Sequence, residues 1–149
     1  MKTIILFAFL FLATVLSCSK DKFQTKPSIE IKSLNTHEVL SPDGNLEIRM
    51  EYTDKEGDLS DGILTYIRIR TNTRAIPNPG INDKVDTVFS AIPEFPTTTK
   101  GDIFLNIAYN FMDEDPDRND TMFFKITVKD LKNNTSDTIS TATVVAKQN

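Results

Sequence analysis

Nine carboxylates crowd two short stretches of this chain: Asp54, Glu56, Asp58 and Asp61 in one, Asp113, Glu114, Asp115, Asp117 and Asp120 in the other. Calcium takes six to eight oxygen ligands at about 2.3–2.6 Å, and acidic loops supply them. The expected calcium ligands are Asp54, Glu56 and Asp58 together with Asp113, Asp115 and Asp117, provided the fold brings both stretches to one pole. Neither stretch is an EF-hand. Counted from Asp54, the sixth and twelfth positions are Leu59 and Thr65; counted from Asp113, they are Arg118 and Phe124. The EF-hand needs Gly and Glu there. Solvated turn chemistry is the alternative, because Asp initiates turns. A pair of these carboxylates facing each other across a cleft would instead serve glycoside hydrolysis. The chain has no Trp to act as a sugar platform.

Other catalytic chemistries lack their residues. There is one His, His37, and one Cys, Cys18. A zinc site needs more such ligands. No Gly-x-Ser-x-Gly elbow and no glycine-rich phosphate loop occurs. The expectation is a protein that is not an enzyme. A further pattern repeats three times: Asp86-Thr87-Val88, Asp120-Thr121-Met122 and Asp137-Thr138-Ile139. It resembles the O-glycosylation signal of exported Bacteroidota proteins. That resemblance implies Thr87, Thr121 and Thr138 as sugar acceptors, although a turn Asp followed by a strand-opening Thr yields the same triplet.

The amino-terminal stretch addresses location. Lys2 precedes Ile4–Leu16, thirteen residues without a charge. A membrane-spanning helix needs about 20 apolar residues, so this run has the length of a signal-peptide core. Val15-Leu16-Ser17-Cys18 follows, then the polar Ser19-Lys20-Asp21-Lys22. The segment resembles the lipobox of bacterial lipoproteins. The resemblance implies that residues 1–17 are cleaved, that Cys18 receives a diacylglycerol and an acyl group such as palmitate, and that the protein is held in the cell envelope, at the outer membrane. A single acyl chain binds reversibly; several make desorption negligible. Residues 18–27 then form a short linker. As a flexible coil it spans roughly 16 Å, and stretched about 30 Å.

Cleavage removes one base and no acid, so the net charge goes from −4 to −5. An acidic domain offers no footprint for nucleic acid. The expected partners are membrane lipid through Cys18 and another envelope protein or a glycan.

The residues that must position these groups read at strand period. Ser28–Leu34 alternates on Ile29 and Ile31. Leu46–Tyr52 carries Leu46, Ile48, Met50 and Tyr52 on one face and Glu47, Arg49 and Glu51 on the other. Ile63–Arg70 alternates Ile67 and Ile69 against Arg68 and Arg70. Val85–Ile92, Ile103–Phe111, Met122–Val128 and Thr138–Val145 complete seven strands. Phe104 and Phe123 fall on outward phases. Turn residues separate the runs, among them Ser41-Pro42-Asp43-Gly44.

This pattern predicts an all-β chain with a single antiparallel β-sandwich over residues 28–149. Tyr52-Thr53-Asp54-Lys55-Glu56-Gly57-Asp58-Leu59 resembles the D-x-(D/E)-G-D-L stretch of bacterial immunoglobulin-like and cadherin-like domains. Ile126–Asp130 with Asn133–Thr138 resembles their closing hairpin, Asn133 standing where Gly is usual. The anchor and the domain together resemble small Bacteroidota envelope lipoproteins. The functional expectation is a membrane-anchored, non-catalytic binding or scaffold module. A calcium-dependent adhesion module and a carboxylate hydrolase are the alternatives.

Overall fold

Regular structure begins at Ser28. The computed structural model describes residues 25–148; the segment 1–17 expected to be cleaved, Cys18 and most of the expected linker lie outside the described residues. Nine strands and one helical turn follow in the order β1 (Ser28–Leu34), β2 (Glu38–Leu40), β3 (Asn45–Thr53), β4 (Ile63–Arg70), β5 (Val85–Ala91), β6 (Lys100–Ala108), α1 (Tyr109–Met112), β7 (Asp120–Lys129), β8 (Ile139–Ser140) and β9 (Val144–Lys147). No helix among the described residues is long and apolar enough to cross a membrane.

The strands form two sheets. One has the order β1-β3-β6; the other runs β2-β9-β7-β4-β5, with β8 also on β7. Pairing is antiparallel except between β2 and β9. With β1, β3 and β6 as strands A, B and E, and β4 and β7 as C and F, this is the immunoglobulin-type sandwich. The strand count exceeds seven for two local reasons. β2 is a three-residue piece with only Val39 buried, too short to read as alternation. The run 138–145 splits into β8 and β9, and the buried Thr141 bridges the gap by accepting the Phe124 N–H at 3.0 Å.

The core is made by alternation. Leu46, Ile48, Met50 and Tyr52 of β3 meet Leu105 and Ile107 of β6 and the row Met122, Phe124, Ile126 and Val128 of β7, all buried. Burying a side chain of this size contributes about 1.5–3 kcal/mol. The predicted strand 103–111 ends at Ala108; Tyr109–Met112 turns instead as α1, with Tyr109 and Met112 buried. β4 reverses its apparent polarity. Arg68 and Arg70 point into the sandwich, 1% and 5% exposed, while Ile67 and Ile69 stand on the outer face, half-buried.

Strand direction fixes two poles. Asn45 pairs with Ala108 and Thr53 with Lys100, so β3 ends where β6 begins. The entry pole, where β1 starts opposite Thr53, carries loops 54–62, 92–99 and 130–138. The far pole carries 41–44, 71–84 and 109–119. Nine residues of β3 separate the poles, roughly 30 Å at strand rise.

Met50 and Ile126 are fully buried whereas Glu47 sits on the outer phase. Met50→Asp or Ile126→Asp therefore buries an unpaired charge and should cost about 4 kcal/mol or more, enough to unfold the domain. Glu47→Ala should stay within about 0.5 kcal/mol. Urea titration of the three variants checks this, and equal tolerance at all three positions would contradict the assigned faces.

Candidate functional site

At the far pole three arginines from one side hold the acidic loop from the other. β4 alternates, so Arg68 and Arg70 emerge on the core face at its end, and Arg74 follows in the loop. Arg70 Nε donates to Asp120 Oδ1 at 2.6 Å, with both side chains essentially excluded from solvent. Asp120 Oδ2 accepts the backbone N–H groups of Glu114 at 2.7 Å and Asp115 at 2.8 Å. One carboxylate thus shapes the loop and neutralises a buried cation. Arg68 pairs with Glu114, donates to the Asn82 carbonyl at 2.7 Å, and stacks 5.0 Å over the Phe111 ring. Arg74 Nε donates to Asp115 Oδ2 at 2.9 Å and its Nη2 to the Asn119 carbonyl at 2.6 Å. The Arg74 hydrogen bond holds the Asp115 carboxyl below its usual range. Asp113 is pushed up by burial and then by the Asp120 charge; it accepts from Gln148 Nε2 at 2.8 Å.

Above this network lies an open cleft of about 370 Å³ lined by Thr71, Asn72, Thr73, Arg74 and Thr121. Its floor is rigid. Asn72 Oδ1 accepts the Thr121 N–H at 2.7 Å, and the Thr71 hydroxyl donates to the Thr121 carbonyl at 3.0 Å. Hydroxyls, an amide and one guanidinium make this a polar cleft; it holds no nucleophile with a paired base.

The entry pole has its own acidic loop. Asp54, 1% exposed, accepts the Glu56 N–H at 3.2 Å and the Asp58 N–H at 2.9 Å. This Asx turn places Gly57 at φ 69°, where a side chain would also strike Thr97. Burial pushes the Asp54 carboxyl up, opposed by those two N–H groups and reinforced by the Asp58 charge. Lys132 crosses from the 130–138 hairpin to Glu56 at 2.7 Å and Asp58 at 3.3 Å. A second open cleft of about 360 Å³ lies beside this loop, its lining including Glu56, Asp58, Asp61, Glu94 and Phe95.

The two acidic stretches expected to hold calcium do not share a pole. Asp54, Glu56 and Asp58 sit at the entry pole and Asp113, Asp115 and Asp117 at the far pole, so they do not form one site. Among the described residues no three His, Cys, Asp or Glu side chains form an ion-holding group. Asp54, Glu56, Asp58, Asp113 and Asp115 are engaged by the chain's own N–H groups, lysine, arginines or glutamine; Asp117 is exposed and its own N–H caps Asp115. The same separation removes the facing carboxylates that a glycosidase across the two loops would need. Thr87 and Thr121 lie on the outer face of the second sheet, exposed and half-buried, and Thr138 is exposed just before β8. His37 is exposed, its Nδ1 3.2 Å from the Thr143 carbonyl. Phe104 and Phe123 lie on different sheets and make no shared patch. Sequence reasoning missed Arg68, Arg70 and Arg74. Their signal was Leu64 and Tyr66 in phase with the arginines on β4, matched by an excess of carboxylates in 113–120.

No known protein family's sequence pattern matches the chain, and no curated protein does. Two solved structures do, both of a β-glucosidase from Kluyveromyces marxianus. The glucose complex is 8% identical with a TM-score of 0.39, and the selenomethionine-labelled form is 10% identical with a TM-score of 0.32. In each case the match covers 84% of this chain and 15% of the other. The chain therefore spans a small part of those enzymes, and the resemblance bears on no activity.

Two outcomes are expected. Asp120 accepts three donors with two oxygens, and asparagine offers one oxygen and adds a donor. Asp120→Asn should therefore cost nearly as much as Asp120→Ala, about 3–5 kcal/mol, because either leaves Arg70 buried and uncompensated; chemical denaturation measures it. Asp54 has a folded value above its ordinary 3.8, so the folded state holds this proton longer than the unfolded chain. Its contribution is present below 3.8 and lost as pH rises through the folded value. Asp54→Asn removes that loss, so its stability relative to the parent should climb from acid to neutral pH. Parallel stability curves would contradict it.

Proposed function

We propose that the chain is a lipid-anchored, non-catalytic binding module of the cell envelope, presenting its far pole to an envelope protein or a glycan. The observation that carries this reading is where the chain enters the sandwich. β1 starts at the entry pole, and only nine residues separate Cys18 from Ser28. A diacylglycerol on Cys18 would hold the entry pole against the bilayer and turn loops 71–84 and 109–119 outward.

The chemistry of the outward pole supports the binding role. The cleft of Thr71, Asn72, Thr73, Arg74 and Thr121 offers donors and acceptors on a floor fixed by hydrogen bonds. Pre-organised polar groups lower the ordering cost of binding. Arg74 is tied at both ends of its guanidinium yet 28% exposed, which suits a hydroxyl-rich or anionic ligand. The lipobox-like segment supports an outer-membrane location.

The test has two arms. Mass spectrometry of the purified protein should find an amino-terminal Cys18 carrying acyl chains, and Cys18→Ser should move the protein from membrane to soluble fractions. A photo-crosslinking residue at Thr73 should capture an envelope component on intact cells, while the same residue at Glu47 should not. An unmodified thiol on Cys18 would refute the anchor; equal capture from both positions would refute the far pole as the binding surface.

A further inference from the structure

A β-sandwich of this kind leaves strand edges unpaired, and unpaired edges are templates for association unless they are blocked. Three of the terminal strands are blocked in recognisable ways. β1 carries Glu30 and Lys32 and an irregular register between Ile31 and Ser33. β2 is three residues long and runs into Pro42 after Ser41. β6 starts with Lys100 and Asp102, both exposed.

β5 is less guarded, its one charged residue being the half-buried Asp86. Val85-Asp86-Thr87-Val88-Phe89-Ser90-Ala91 is seven residues in unbroken register with β4, without lysine, arginine, proline or bulge. It ends its sheet. Val85 is 52% and Phe89 71% exposed, on β-branched and aromatic residues that favour pairing.

The hydrogen-bond parity shows which groups are free. Arg70 N–H donates to the Lys84 carbonyl at 2.8 Å and Ile92 N–H to the Gly62 carbonyl at 2.9 Å. In an antiparallel pair bonding residues alternate, so Asp86, Val88 and Ser90 bond to β4. Val85, Thr87, Phe89 and Ala91 turn their N–H and C=O groups to the open edge.

We propose that β5 pairs with β5 of a second copy of this chain, antiparallel and centred on Val88, so that the second sheets of two molecules become continuous. A two-fold axis at Val88 sets Val85 opposite Ala91 and Thr87 opposite Phe89. All four free residues of each strand then bond, a match that a shifted centre does not reach. The charges fit this occupant. The register opposes Asp86 to Ser90, so no like charges meet although each chain is acidic. An isologous contact of this type closes at two copies; because the two strands run antiparallel, it sets the entry pole of one copy beside the far pole of the other, so under the proposed anchoring it joins copies held in facing membranes rather than neighbours in one bilayer.

The experiment measures the molar mass of the full chain in detergent by light scattering or sedimentation, across micromolar to near-millimolar protein. The expected result is a concentration-dependent shift to twice the chain mass. Phe89→Lys should remain monomeric at concentrations at least tenfold above the parent's midpoint with an unchanged melting temperature, since Phe89 is exposed in the single copy. Thr87→Pro should do the same, because it removes an edge-facing N–H and leaves the β4 ladder intact. Lys32→Ala on the β1 edge should dimerise like the parent. If Thr87→Pro does not fold, Phe89→Lys and amide exchange in the parent decide: Thr87 and Phe89 amides should slow as concentration rises. A chain that stays monomeric throughout, a Phe89→Lys variant that still dimerises, or a glycan on Thr87 of the native protein would overturn the proposal.

Discussion

The Arg70–Asp120 pair is the constraint on which the far half of the sandwich depends. A guanidinium inside a sandwich is tolerable only if its charge is met. Asp120 meets the charge with one oxygen and uses the other to gather the Glu114 and Asp115 N–H groups. That second bond bends loop 113–119 back over β4 and brings Glu114 to Arg68 and Asp115 to Arg74. Loop 71–84 is then fixed from below, through Arg74, Asn72 and Thr71. The cleft is therefore a consequence of the ion pair: remove the partner of Arg70, and its floor loses its geometry as well as its stability.

The entry pole solves a related problem by other means. Asp54 is as buried as Asp120 but has no arginine; it is met by two backbone N–H groups from its own turn. A carboxylate served only by amide dipoles keeps part of its desolvation cost, and its affinity for a proton rises. Asp120, with its arginine, is the more completely compensated of the two. The two acidic stretches thus share composition but not role: one neutralises buried cations, the other shapes a turn and pairs with Lys132. Acidic sequence density alone cannot distinguish these uses from a cation site, because all three draw on the same lone pairs.

This separates what the sequence could and could not disclose. Period-two alternation located β1, β3, β4, β5, β6 and β7 because one face of each is apolar over several residues. Asn133, standing where Gly is usual in the closing hairpin, adopts the left-handed φ of 68° that Gly would supply. β2 escaped because three residues hold too little alternation. The inward side of β4 was hidden because polarity is a proxy for burial, and the proxy fails where distant partners compensate the charge. Leu64 and Tyr66 shared a phase with Arg68 and Arg70, but the deciding partner, Asp120, lies fifty residues away. Pole assignment was equally beyond a local reading. Which end of the sandwich a loop occupies follows from strand direction, and that is set by pairing between β3 and β6 rather than by the loop itself.

Orientation and edges belong to one argument. Each strand of the sandwich serves three surfaces: its inward face makes the core, its ends make the poles, and its backbone makes an edge where no neighbour pairs. The arginines of β4 use up inward positions that apolar residues would otherwise fill, which places Ile67 and Ile69 on the outer face beside Val85 and Phe89 of β5. The apolar character missing from the far end of the core therefore reappears on the open side of the second sheet. That inversion is stable in one copy only because aliphatic residues spread over a sheet face cost little individually. It leaves β5 flanked by apolar side chains and unguarded along its backbone, so the same Arg70–Asp120 pair that builds the far pole also sets the character of the edge beside it.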